Sequence, residues 1–61
     1  MEKFRITAFE KNGELILDEQ FDAPNETEAK KIGEDKLHSI SAFDKTHRCI
    51  NPKGKLILFH P

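Results

Sequence analysis

The sequence predicts an α+β domain of order ββαββ, a four-stranded antiparallel sheet with one helix packed on one face. Three observations predict it. Apolar residues alternate with period two near the N-terminus, recur at helical spacing in the middle and form a short continuous run near the C-terminus, with residues of turn chemistry between these segments. A hairpin, a helix and a second hairpin bury their apolar sides most simply as a helix laid across a sheet. The 61 residues make one small domain, residues 1–61. A chain of this length buries only about 60% of the surface it exposes when unfolded, so its core is thin.

Between Lys3 and Phe9, the residues Phe4, Ile6 and Ala8 alternate with Lys3, Arg5 and Thr7, the pattern of a half-buried strand. Asn12-Gly13 then predicts a two-residue type I′ hairpin turn. Leu15 to Phe21 reads as the returning strand. That loop sets Phe4 opposite Phe21, Ile6 opposite Glu19, Ala8 opposite Leu17, Phe9 opposite Ile16 and Glu10 opposite Leu15. Glu19 falls on the apolar side, so it either sits at a sheet margin or marks a bulge.

Asn25 is suited to cap a helix, with Glu28 three residues later in the capping-box position and Glu26 and Glu28 at the positive end of the helix dipole. Ala29, Ile32, Gly33, Leu37 and Ile40 fall on one buried stripe. Gly33 costs about 1 kcal/mol against alanine inside a helix, and close approach of helix to sheet accounts for it. A loop follows, anchored by Ala42 and Phe43. Thr46 to Ile50 reads as the third strand, Asn51-Pro52-Lys53-Gly54 as a type I turn with a left-handed glycine, and Lys55 to His60 as the fourth strand. Leu56 to Phe59 is apolar on both faces, which predicts a strand central in the sheet or covered by a partner. The two hairpins flank the helix, and no sequence repeat is expected between them.

The segments Phe4-Arg5-Ile6-Thr7-Ala8-Phe9, Glu28-Ala29-Lys30-Lys31-Ile32-Gly33-Glu34 and Asn51-Pro52-Lys53-Gly54-Lys55-Leu56 resemble the YhzD-like family of small uncharacterised bacterial proteins over essentially the whole chain. The resemblance implies a bacterial, cytoplasmic protein. It implies no activity and carries over no functional residue.

Composition narrows the function classes. Charged residues make up 34% of the chain, mean hydropathy is −0.66, and the longest apolar run is four residues, so neither a secretory signal nor a membrane-spanning helix is expected. Ten basic residues against eleven acidic ones give a net charge of −1, which disfavours nucleic acid as partner. The exception is the C-terminal third, where Lys45, His47, Arg48, Lys53 and Lys55 follow the last acid, Asp44. One cysteine, Cys49, excludes an internal disulfide and suits a reducing cytoplasm.

His38, His47, Cys49 and His60 are the groups able to bind metal or catalyse. His47 and Cys49 share a strand face, and His60 comes near His47 if the last hairpin pairs as its turn suggests. The set falls short of the four closely spaced ligands of a structural zinc site, and the histidines are expected at the surface or sheet margin. His47 and Cys49 are also about 6.5–7 Å apart along the strand, beyond hydrogen-bond reach. No metal, cofactor, small-molecule substrate or catalytic residue is therefore expected.

The remaining signal is unburied apolar surface. With one helix on one face, Phe9 and Ile16 are expected to point the other way, beside Lys3 and Arg5, together with one pair from the last strand, either Leu56 and Leu58 or Ile57 and Phe59. A contiguous apolar patch marks an interaction site. Lys3, Arg5, Phe9 and Ile16 are the candidate interaction face of a non-enzymatic binding or regulatory module that self-associates or meets a protein partner. A nucleic-acid module built on the basic C-terminal hairpin is the alternative.

Overall fold

A computed structural model describes residues 1–61. The elements are β1 (Glu2–Phe9), β2 (Leu15–Ala23), α1 (Glu26–Ser39), β3 (Thr46–Ile50) and β4 (Leu56–His60). They build one antiparallel sheet of order β2-β1-β3-β4, so the two hairpins lie side by side and the long connection through α1 joins them. This is the expected α+β architecture. β4 is an edge strand rather than a central one, and Leu56 and Phe59 are 47% and 55% exposed.

The first turn differs from the expected type I′. Gly13 N–H donates to Glu10 O at 2.9 Å, Glu10 N–H donates to Glu14 O at 2.8 Å, and Gly13 alone in the turn has positive φ, at 89°. This is a three-residue loop, a type I turn followed by a left-handed glycine. The longer loop slips the register by one, so Phe9 pairs with Leu15 rather than Ile16. A bulge at Ile16 restores it, and Ala8↔Leu17, Ile6↔Glu19 and Phe4↔Phe21 pair as expected. Glu19 thus stands at the sheet margin and outside the bulge, held by Lys36 Nζ of α1 at 2.8 Å.

The second hairpin repeats this construction. Gly54 N–H donates to Asn51 O, Asn51 N–H donates to Lys55 O, and Gly54 has φ 85°. Ile50 pairs with Leu56, Ile57 bulges, and Cys49 pairs with Leu58. A sequence repeat accompanies the geometry, contrary to expectation: Gly13-Glu14-Leu15-Ile16-Leu17 returns as Gly54-Lys55-Leu56-Ile57-Leu58. The step that takes Gly13 to Gly54 also exchanges the β1–β3 pairs Arg5↔Ile50 and Phe9↔Thr46, and returns Thr7↔Arg48 to itself. The sheet therefore has a local two-fold axis, normal to its plane, between Thr7 and Arg48.

Helix α1 starts where Asn25 Oδ1 accepts the Glu28 N–H at 2.9 Å. It ends in a Schellman motif, with Ala42 N–H donating to Leu37 O and Ser41 N–H to His38 O. Ser41 supplies the left-handed residue, φ 56°, where glycine is usual. The chain turns at Ile40, which is 43% exposed and leaves the expected stripe, whereas Ala29, Gly33 and Leu37 are buried. Beneath them lie Phe4, Ile6, Ala8, Cys49 and Ile57, and Phe4 stacks on Phe21 at 5.9 Å between ring centres.

Candidate functional site

Strand alternation and the pairing register define the side of the sheet away from α1. Phe9, Leu15 and Thr46 line up across three strands at one end. Arg5, Gln20, Ile50 and Leu56 line up across four at the other, with Thr7, Asp18, Arg48 and Phe59 between them. Three of the four residues expected here, Lys3, Arg5 and Phe9, are on this face. The fourth is not: the bulge turns Ile16 toward the core cluster, and Leu15, 51% exposed, takes the place opposite Phe9. Neither expected pair of β4 points outward together: the bulge at Ile57 puts Leu56 and Phe59 on this face, with Phe59 opposite Arg48, which sequence reasoning assigned only to the basic hairpin.

On this face Arg5 is paired, whereas Lys3 and Arg48 have no carboxylate within 4.0 Å. Arg5 donates twice to Asp18, from Nε at 2.9 Å and from Nη2 at 2.8 Å. These hydrogen bonds hold the Asp18 carboxyl below its ordinary range and raise the Arg5 guanidinium. Of the basic residues in the C-terminal third, Lys45 donates to Glu10 at 2.8 Å and Lys55 lies 3.8 Å from Glu26.

On the helix side, aromatic rings form a row: His38 stacks on Phe43 at 4.3 Å, Phe43 lies 5.8 Å from His47, and His47 lies 5.6 Å from His60. His38 and His60 are exposed. His47 is only 4% exposed, because β3 is an inner strand and its side chain shares the covered face with that of Cys49. The row arises where the Schellman turn carries Phe43, in the loop after α1, between His38 and His47, and no sequence periodicity marks that.

Cys49 is fully buried, and burial pushes its thiol up to about 11. A thiol in that state is a packing residue, since the thiolate is the nucleophile. We expect Ellman's reagent at pH 8 to label native protein only at the rate of unfolding, and to label it at once in denaturant. Fast labelling of the native protein would contradict this.

The family model described as YhzD-like protein matches residues 1–61, the entire chain. The chain belongs to the YhzD-like family. Among curated relatives, the "Uncharacterized protein YhzD" of Bacillus subtilis (strain 168) is 42% identical over 60 residues, which cover 98% of each chain. No solved structure matches. No helix is long and apolar enough to cross a membrane.

Proposed function

We propose that this member of the YhzD-like family is a small non-catalytic binding or regulatory module of the bacterial cytoplasm. It acts through the open face of its sheet on a protein surface, either a partner or a second copy. The observation that carries this reading is the helix-free face, where Leu15, Leu56 and Phe59 are about half exposed beside half-buried Phe9 and Ile50. Large apolar side chains left in water on one face gain most from being covered by another protein.

Two further features favour this reading over the alternatives. Nucleic-acid affinity draws on unpaired phosphate-seeking cations, and of the basic residues such a module would use, Arg5, Lys45 and Lys55 have carboxylate partners, which leaves Lys3, Arg48 and Lys53. Nucleophilic catalysis needs an ionisable nucleophile with a base in reach, and Cys49 is buried with a raised pKa.

The test is affinity capture from a Bacillus lysate with nuclease present, alongside sedimentation of the purified protein. We expect a stoichiometric protein partner or a concentration-dependent dimer. Either should be lost in Phe59→Asp and Leu15→Asp variants that keep the wild-type circular dichroism spectrum. A nuclease-sensitive catch would move the function to nucleic acid. A monomer that captures nothing, or capture indifferent to both variants, would overturn the open-face reading.

A further inference from the structure

The two-fold axis of the sheet makes His47 conspicuous. The step that takes Gly13 to Gly54 takes Ile6 to His47 and Glu19 to His60, so the pair His47↔His60 stands where the other hairpin has Ile6↔Glu19. Ile6 is fully buried and fills its site with hydrocarbon. An imidazole that is 4% exposed at the equivalent position brings a polar ring into a place that packing alone fills with an aliphatic side chain.

The hydrogen bonds settle which nitrogen of each ring is free. His47 Nδ1 lies 2.9 Å from Lys45 O, and His60 Nδ1 lies 3.0 Å from Pro61 O. A carbonyl oxygen only accepts, so each Nδ1 carries the proton, and in the neutral ring the lone pair is on Nε2. His47 Nε2 has no hydrogen-bond partner in the protein. Because no buried side-chain nitrogen lacks a partner, this atom reaches solvent. A carbonyl or carboxylate oxygen that fixes the tautomer and leaves Nε2 free to bind a cation is the usual outer support of metal-binding histidines.

We propose that His47 and His60 form a two-imidazole site for a borderline divalent transition cation of the zinc class, bound through the two Nε2 atoms. Two imidazoles bound at about 2.0–2.1 Å to one such ion hold their ring centres roughly 5–6 Å apart, and direct pairing of His47 with His60 across β3 and β4 already sets them 5.6 Å apart, within reach of one ion. Imidazole suits zinc, copper and nickel and does not select magnesium or calcium. No third His, Cys, Asp or Glu joins the pair, so water or an exogenous ligand completes the coordination. Cys49 shares the strand face but is sealed in the core with its thiol protonated, and His38 is separated from the pair by the Phe43 ring. The ion would tie edge strand β4 to inner strand β3.

Zn²⁺ titration of the full chain tests this, by calorimetry and by NMR of the imidazole nitrogens, with Mg²⁺ as control. We expect one Zn²⁺ per chain, shifts confined to His47 and His60 Nε2, and a melting temperature that rises with Zn²⁺. Exposed His60 tolerates replacement, so His60→Ala is the decisive variant, and it should bind at least tenfold more weakly and lose the thermal shift. His47→Gln should do the same where it folds, and His38→Ala should stay within twofold of wild type. The proposal is overturned by His60→Ala binding within twofold of wild type, by an equal loss in His38→Ala, by equal binding of Mg²⁺, or by no response at millimolar Zn²⁺.

Discussion

Replacing Phe4 with alanine is expected to remove about half or more of the domain's stability. Phe4 is 1% exposed, has the largest fully buried side chain, and stacks on Phe21 across the β1–β2 pair. Removing such a ring costs about 3–5 kcal/mol, part lost transfer energy and part residual cavity. The whole domain has roughly 3–9 kcal/mol to lose, from typical stability per residue. No disulfide limits the entropy of the unfolded chain, because the single cysteine is free. Phe21 is half-buried, and Lys36 Nζ lies over its ring at 5.8 Å. Phe21→Ala should therefore cost about half as much, since less area returns to water. Urea and thermal melts followed by circular dichroism separate the two. For a domain of this size, the Phe4 loss corresponds to a fall of roughly 10–40 °C in melting temperature. A Phe4→Ala protein melting within a few degrees of wild type would show that the core does not centre on this ring.

The unequal effects expected at Phe4 and Phe21 follow from features the sequence reveals only in part. Alternation in β1 identified Phe4, Ile6 and Ala8 as core, and these three are buried. Alternation is a parity argument, and one extra residue inverts it. The three-residue loop at Lys11-Asn12-Gly13 and the bulge at Ile16 shift the register by one and back again. Pairing is therefore as expected at Phe4, Ile6 and Ala8 but wrong next to the turn, where the candidate site draws its apolar residues. Lys3, Arg5 and Phe9 were legible for the first reason, and Leu15 was mistaken for Ile16 for the second.

A signal that would have prevented the error was in the chain. Asn51-Pro52-Lys53-Gly54 reads correctly as a type I turn with a left-handed glycine, and the same Leu-Ile-Leu run begins two residues after Gly13 and after Gly54. Had the repeat been recognised, the second turn would have supplied the loop length of the first, and the local two-fold axis would have followed. Strand order was not legible. The inner position of β3 and the edge position of β4 come from β1 pairing with β3, a contact between segments on opposite sides of α1 that no local pattern encodes. Burial of His47 follows from that same pairing, which is why the sequence placed it at the margin.

Gly33 gives the second large effect, and its sign depends on the size of the replacement. A methyl group there would lie 2.9 Å from Leu58 Cδ1, 3.4 Å from Ile6 Cδ1 and 4.0 Å from Cys49 Sγ, so α1 rests on β1, β3 and β4 through a missing side chain. In Gly33→Ala, the helix gains about 1 kcal/mol of intrinsic preference. The closest atom is the tip of a flexible leucine on an edge strand, which can rotate away, so the gain and the contact nearly cancel. In Gly33→Val, the added branches also meet Ile6 and Cys49, both fully buried and without room to move. Overpacking of that kind costs about 1–3 kcal/mol or more, a large share of the domain's stability. Valine should therefore lower the urea midpoint sharply while alanine barely moves it. The contact with Leu58 is isolated by a double-mutant cycle. Leu58→Ala removes the clashing tip, so the Gly33→Ala/Leu58→Ala protein should be more stable than the two single effects add up to, by about 1 kcal/mol. Strict additivity, or a valine variant as stable as the alanine one, would mean that helix and sheet are held apart by something other than the absence of a side chain at Gly33.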